Sequence, residues 1–490
     1  MPRIAIIGAG IAGLTAALTL QDSGLACAIY EASDRVGGRM HSDADTWGGD
    51  LVSEWCGEFI DGDHTTMHQL IARFNLATID LGRGGASQTQ TLMYLMGRYD
   101  SAEELAAGFQ ALAPVMKRQL HDTGFPTTYT RFTEIGRLLD HTSVYDWIER
   151  YVAGGHQTAT GRFLDGACTG IYGLDTREQS ALNLVYLFGS RFLGPAVGSG
   201  ATSQSAPTPM QGSSKIAGGN ERLPRAIAHS LPEDALHLGY RLIAIERAAD
   251  DTLDLTFATG SGVARAQYDA VILTLPFSAL RRVDYQRAGF DTLKRAAIEQ
   301  LGYGTISKLF LQFDMPYWYE DGPWPQAHNG FIITDLNIQT LWDSGGARPT
   351  SSAATATAQP RGLLVDYTSG HRGAAYTPPA PYSTTADSPE IERYAQDCLR
   401  ELELVLPGIS AHYTGKAALS YPTADPNLLG SYSCWRVGQY TAFGGYEGAA
   451  QGPVHFAGEH CSIEFQGYME GAAREGVRAA REIIEGASSA

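Results

Sequence analysis

Near its start the chain carries Gly8-Ala9-Gly10-Ile11-Ala12-Gly13, three glycines spaced as a pyrophosphate cradle requires. Gly8 would permit a tight turn, Gly10 would let the backbone approach an anion, and Gly13 would let a helix pack closely on a strand. Ile11 and Ala12 open that helix, whose free N–H groups add partial positive charge. Glu31 follows 18 residues after Gly13, where a carboxylate can accept hydrogen bonds from ribose hydroxyls and repel a 2′-phosphate. Directly beyond it, Asp34-Arg35-Val36-Gly37-Gly38-Arg39 supplies a second glycine pair and two arginines. That segment extends the anion-binding surface and favours FAD over a nicotinamide dinucleotide, with Arg39 the expected phosphate contact. No second GxGxxG occurs downstream, which argues against a reductase with two dinucleotide sites. Lys308, in Ile306-Ser307-Lys308-Leu309-Phe310, shares an apolar strand face with Ile306 and Phe310 if alternation holds. A lysine there needs a partner.

The elements that must position these residues are legible in outline. Residues 3–7 read as a buried strand, 10–23 as a helix with Leu14, Ala17, Leu18 and Gln21 at helical spacing, and 26–30 as a second strand. Together they make a βαβ unit of a doubly wound sheet. Helical patterns dominate 103–193, as at 106–120 and 178–188, and predict a helical subdomain. The run 194–219, rich in Gly, Ser, Ala, Thr and Pro, predicts a surface loop or lid. A helix at 223–230 and strands at 241–247, 253–258, 268–275, 307–313, 330–334 and 363–367 follow, with another low-complexity loop at 351–359. Ser388-Pro389 with Glu390 and Glu392 marks the start of a helix that runs to 406. A strand at 453–457 and a helix at 468–484 finish the pattern.

The expected class is α/β plus α+β. A Rossmann-like FAD-binding domain takes 1–65, 215–285 and 415–490; a discontinuous substrate-binding domain with a mixed sheet takes 66–102 and 286–414; the helical subdomain takes 103–214. At 490 residues, 44% of them apolar, two or three cores are expected. The net charge of −17 repels polyanions, so nucleic acid and anionic membranes are argued against. Cys27, Cys56, Cys168, Cys398, Cys434 and Cys461 show no CxxC or zinc-like spacing and are expected as free thiols. No charged leader with a cleavable apolar core opens the chain, and no apolar run approaches the roughly 18 residues of a membrane span. A cytoplasmic location is expected; a homodimer is the one self-association entertained.

The glycine fingerprint, Glu31-Ala32-Ser33, Gly37-Gly38-Arg39, the strand ending Thr274-Leu275-Pro276, and Phe456-Ala457-Gly458-Glu459 with Gly467-Tyr468-Met469-Glu470-Gly471-Ala472 together resemble the flavin amine oxidases. Gly458-Glu459-His460 and Glu464-Phe465-Gln466-Gly467 are most similar to bacterial L-amino acid oxidases. The resemblance implies cofactor contacts from Ala32, Gly38, Gly57, Glu58, Phe59, Ile60, Leu242 and Ile243 besides the fingerprint itself. It places Gly458 and Glu459 at the ribityl or pyrophosphate region, and Gln466, Gly467, Tyr468 and Met469 at a helix start facing the flavin pyrimidine, where reduction adds negative charge. Lys308 matches the family's catalytic lysine, which holds a water near flavin N5. Tyr468 matches one aromatic wall of the substrate cavity, Tyr432 or Trp435 should supply the other, and Trp342 is a further pocket residue. The cysteine that carries flavin covalently in monoamine oxidases falls on Ser431, so non-covalent FAD is expected, with Cys434 the thiol able to overturn that.

One departure stands out. Amino acid oxidases commonly place an arginine for the substrate carboxylate shortly after the glycine that here is Gly57, yet Gly57-Glu58-Phe59-Ile60-Asp61 has none. Arg436 and Arg191 are substitutes, or the substrate lacks a carboxylate. The expected activity is oxidation of an L-amino acid by molecular oxygen to a 2-oxo acid, ammonia and hydrogen peroxide. The alternatives are a monoamine or polyamine oxidase, a flavin-dependent desaturase or amino acid monooxygenase, and a non-catalytic flavoprotein.

Overall fold

The computed structural model describes residues 2–49, 51–81, 90–99, 102–189, 213–324, 328–345 and 361–489. Arg191, most of the expected lid at 194–219 and the loop at 351–359 lie outside them. Strand β1 (Ile4–Ile7) is buried along its whole length, hence its unbroken apolar sequence. Gly8, at φ 106°, turns the chain into helix α1 (Ile11–Asp22). Strand β2 (Cys27–Glu31) returns parallel to β1, pairing Ile4 with Cys27 through Ile7 with Tyr30.

Around this unit lies a five-stranded parallel sheet in the order Val454–Phe456, Ala270–Leu273, β1, β2, Leu236–Leu238. The final helix, Met469–Ser489, packs on α1 so closely that a Cβ at Gly476 would sit 2.2 Å from the carbonyl oxygen of Ala12. Both chain ends thus build one layer. An antiparallel sheet of Arg241–Arg247, Leu253–Thr259 and Gly262–Tyr268 flanks it. Here the single strand expected at 268–275 is corrected: Tyr268 ends one hairpin strand and Ala270–Leu273 belongs to the parallel sheet. Gly262–Tyr268 is mostly solvent-facing, so it carries little apolar signal.

The second large sheet has eight strands, in the order Tyr382–Thr384, Tyr413–Ser420, Ser307–Phe313, Gly362–Thr368, Thr340–Asp343, His328–Thr334, Gln90–Leu95, Arg98–Tyr99. It is mixed, because His328–Thr334 runs parallel to Gln90–Leu95 while the other pairs are antiparallel. Helices Ala102–Thr123, Glu134–Asp140, Val144–Tyr151, Ala159–Tyr172 and Ala181–Gly189 gather on one side of it. Their apolar faces share a core with Phe310, Phe331, Trp342 and Val365 of the sheet. The expected class, α/β joined to a mixed α+β sheet with helices, is the architecture observed. Among the described residues no helix is long and apolar enough to cross a membrane, and all six cysteines are free.

Candidate functional site

A cavity of about 2060 Å³ extends from the glycine-rich turn to the eight-stranded sheet. At its first end the three glycines divide their labour. A Cβ on Gly8 would lie 2.5 Å from Thr274 Oγ1, and one on Gly13 only 2.0 Å from the Gly8 carbonyl oxygen. These two glycines let strand, turn and helix meet; Gly13 itself does not line the cavity. At Gly10 a Cβ would meet nothing within 4 Å, and Gly10, Ile11 and Ala12 face the opening. Space left free at the N-terminus of a long helix is what a diphosphate needs.

The second glycine pair closes on the first: Gly37 N donates to Ala9 O, and a Cβ at Gly38 would stand 3.3 Å from the Gly10 Cα. Glu31 accepts from Ala9 N through Oε2, and from Ser33 N and Ser33 Oγ through Oε1, all at 2.8 Å. Its own carbonyl accepts from Tyr240 N, which brings Arg241, Leu242 and Ile243 onto the same wall as Glu31 and Ala32. The donors, the glycines and the carboxylate at this end fit a dinucleotide.

Towards the middle of the cavity Glu459 is a hub. Its Oε1 accepts from Arg39 Nη1 at 2.9 Å and Ser433 N at 3.1 Å; its Oε2 accepts from Ser433 Oγ at 2.6 Å and Gly467 N at 2.9 Å. Burial alone would raise its pKa, but the Arg39 charge, then His460 and the Ser433 hydroxyl, outweigh it and hold it below the usual carboxylate range. Arg39 also gives Nη1 to Ser431 O. Gly458, Gln466, Tyr468 and Met469 line the cavity around this hub. Gln466 Nε2 and Ser431 Oγ are buried without a hydrogen-bond partner, two polar atoms available to a ligand that reaches this region.

At the far end Lys308 stands on the wall with Glu58, Phe59 and Trp342. Its three protons go to Glu54 O at 3.0 Å, Cys56 O at 2.8 Å and Glu58 Oε2 at 2.9 Å. Each ammonium proton therefore has a protein acceptor, and a water in the position implied by the resemblance would have to share one. Glu58 Oε1 accepts from Ser344 Oγ. Burial pushes Glu58 up, yet Lys308 and Lys215 together bring its pKa below the usual value. Neighbouring Glu54 has no such direct cation, and burial pushes it up to about 8 despite bonds from Ser42 and Asn220.

Aromatic residues make the rest of this end. Tyr432 donates to Ile171 O and accepts from Tyr367, which fixes its ring beside Gly467, 3.3 Å from where a Cβ there would be. Tyr468 packs edge-on against His64 at 5.3 Å, and Trp435 lies against Tyr440 at 4.7 Å. Tyr432, Trp435 and Tyr468 all line the cavity. Sequence reasoning missed Tyr367, Phe331 and Trp55, which line it too; the strands of Tyr367 and Phe331 are buried on both faces, so alternation does not single them out, and Trp55 sits in a bend just past the short strand Ser53–Glu54.

Two expectations need correction. Ile60 does not line the cavity, because its N–H and carbonyl are both paired with Ser214. Arg436 is half exposed, ion-paired to Glu178 and off the lining, so it is no anchor for a substrate. Cys434, the thiol able to overturn non-covalent FAD, is by contrast buried outside the lining, near Asn183, whereas Ser431 is within it. Arg191, the other substitute anchor, lies outside the described residues.

A parallel sheet with a diphosphate cradle, joined through one cavity to an aromatic chamber on a mixed sheet, defines a dinucleotide-dependent oxidoreductase. The pattern of the family described as flavin containing amine oxidoreductase matches residues 11–484, and the chain belongs to that family. FAD is accordingly its cofactor. A putative L-amino-acid oxidase of Bacillus subtilis is 24% identical over 98% of this chain and 94% of its own length. A putrescine oxidase of Kocuria rosea is 23% identical over 98% and 95%. The solved structure of cyclohexylamine oxidase from Brevibacterium oxydans has a TM-score of 0.78 at 20% identity, covering 99% of each chain. Wild-type putrescine oxidase bound to putrescine has a TM-score of 0.76, also at 20% identity over 99% of each.

Proposed function

We propose that this flavoprotein oxidises primary amines at the carbon bearing the nitrogen, and that its preferred substrates carry no carboxylate on that carbon. One observation supports the second half most: among the described residues, no side-chain cation on the cavity wall is both near the aromatic chamber and unpaired. Lys308 is saturated, and Arg39 is held by Glu459 and Ser431. Arg241 and Arg282 belong to the wall with Leu242 and Val283, at the Glu31 end. His64 is buried, and that burial lowers its pKa below the ordinary value, while the side chain of His121 is 86% exposed.

The net reaction is amine plus oxygen plus water giving an aldehyde or ketone, ammonia and hydrogen peroxide. FAD, when bound, supplies the acceptor for the hydride equivalent leaving the substrate carbon. The protein's share is placement. Amides of Gly10 to Ala12 hold the diphosphate, Arg39 braces Glu459 beside it, and Glu31 meets the adenosine ribose. Gln466 to Met469 present a helix start to the flavin pyrimidine. Tyr432 and Tyr468, with Trp435 behind, flank the substrate's reacting carbon and keep water away, which favours the neutral amine. The cofactor is held without a covalent bond. In this reading 1–65, 215–285 and 415–490 serve the cofactor, 66–102 and 286–414 the substrate.

A second reading, oxidation of L-amino acids, is favoured by the names of several relatives. It would need an anchor such as Arg191, which follows the cavity-lining Leu187 and Phe188 in sequence. Peroxide and ammonia release measured on matched pairs, L-phenylalanine with 2-phenylethylamine and L-ornithine with putrescine, separates the two. Faster turnover of the amines is expected; turnover confined to the amino acids would overturn the proposal.

A further inference from the structure

The Glu58–Lys308 ion pair is built rather than incidental. Its atoms are 2.9 Å apart, the side chains are 2% and 6% exposed, and both residues line the cavity. Lys308 comes from an interior strand of the eight-stranded sheet and Glu58 from the segment after the short Ser53–Glu54 strand. Carbonyls of Glu54 and Cys56 occupy the other two lysine protons, and Ser344 fixes the second carboxylate oxygen. Three separate chain segments thus hold one neutralised charge pair at the aromatic end of the cavity.

Two other ionisable groups beside the pair, Lys215 and Glu54, lie off the cavity lining, although the charge of Lys215 helps keep Glu58 ionised. Lys215 spends its ammonium on the carbonyls of Ser344 and Val52. Glu54 is fully buried and turns its carboxyl away, to Ser42 Oγ and Asn220 N. A ligand carboxylate arriving beside Lys308 would therefore find its cation already paired and a like charge alongside, inside a site where solvent screens little.

We propose that Glu58 is a specificity-determining residue: by neutralising Lys308 on the cavity wall it rejects substrates with a carboxylate beside the amine, and its removal turns Lys308 into an anion site. This rests on the amine-oxidase reading given above. It also gives a physical account of the sequence Gly57-Glu58-Phe59-Ile60, in which an acid is present and an arginine is not.

Binding of benzoate and of its neutral isostere benzamide to the FAD-loaded protein, followed by perturbation of the flavin absorbance, tests it without turnover. Wild type should prefer benzamide. In Glu58→Gln, which keeps size and an acceptor for Lys308, the benzoate-over-benzamide ratio should rise roughly tenfold to a hundredfold, the worth of one charge-assisted hydrogen bond. The ratio of kcat/KM for L-phenylalanine over 2-phenylethylamine should move the same way. Glu58→Asp keeps the charge and should keep the rejection, which a merely structural role would not predict. An unchanged ratio in Glu58→Gln, loss of the rejection in Glu58→Asp, or a wild type that already prefers benzoate would overturn the inference. Should Glu58→Gln fail to fold, the wild-type preference and Glu58→Asp still decide. Turnover of amines with unmoved benzoate discrimination sinks this inference alone, whereas turnover of L-phenylalanine without the amine sinks the reading beneath it.

Discussion

Gly10 and Gly13 are three residues apart in one motif, yet alanine at each should fail for a different reason. At Gly13 the new Cβ would lie 2.0 Å from the Gly8 carbonyl oxygen and 3.1 Å from its carbon, against ordinary contact at 3.4 Å and beyond. Because the obstacle is backbone, α1 must move off the turn, and overpacking of this kind costs about 1–3 kcal/mol. Gly13→Ala should lower the stability of the apoprotein as well as its FAD affinity. Gly10 has φ −72° and ψ 177°, a conformation alanine accepts, and nothing within 4 Å of a Cβ. Alanine is a poorer helix N-cap but restricts the unfolded chain, two opposed effects of about 1 kcal/mol or less. Apoprotein stability should hardly change. The methyl group would nevertheless occupy the approach to the helix N-terminus, and loss of one amide–phosphate hydrogen bond, about 1.5–3 kcal/mol, weakens FAD binding roughly tenfold to a hundredfold. Thermal unfolding of the apoproteins and FAD titration by fluorescence quenching separate the two. Wild-type FAD affinity in Gly10→Ala would refute the placement of the diphosphate.

Lys308→Met leaves Glu58 buried without its cation, so unfolding in denaturant should show a loss of about 3–5 kcal/mol, partly recovered when Glu58→Gln is added. Wild-type stability in the single variant would contradict a buried pair. Glu54, with a folded pKa of about 8 against an ordinary 4.5, binds more protons folded than unfolded between those values. Its contribution is therefore present at pH 5 and lost as pH rises through 8. Glu54→Gln should flatten the fall in melting temperature between pH 5 and 8, and an unaltered slope would count against it. Acid denaturation should free all the flavin into the supernatant, since Ser431 and not Cys434 faces the cavity; yellow protein after precipitation would show a covalent link.

What the sequence disclosed was local. The span of Gly8 to Gly13 between a strand and a helix is a short-range pattern, and so is the strand signal at Ser307–Phe313, centred on Leu309-Phe310-Leu311. The edge strand Gly262–Tyr268 escaped because polar and small residues dominate it. Pairings across long separations also escaped. Glu58 and Lys308 are 250 positions apart, and no periodicity connects them; a lysine on an apolar face announces a need for a partner without saying which. Ile60 was misplaced for the same reason, since its neighbours line the cavity while its backbone is claimed by Ser214, 154 residues away. Glu459 was recognised as a site residue, but its four protein donors make it a joint between Arg39, Ser433 and the turn that leads into the final helix, which only the folded chain reveals.

The most direct measurement is anaerobic mixing of the FAD-loaded protein with primary amines and with the corresponding L-amino acids, watching the yellow absorbance. Rapid bleaching by amines, restored on admitting air with release of hydrogen peroxide, is the predicted result. Flavin that stays oxidised in the presence of every amine and amino acid offered would contradict the account.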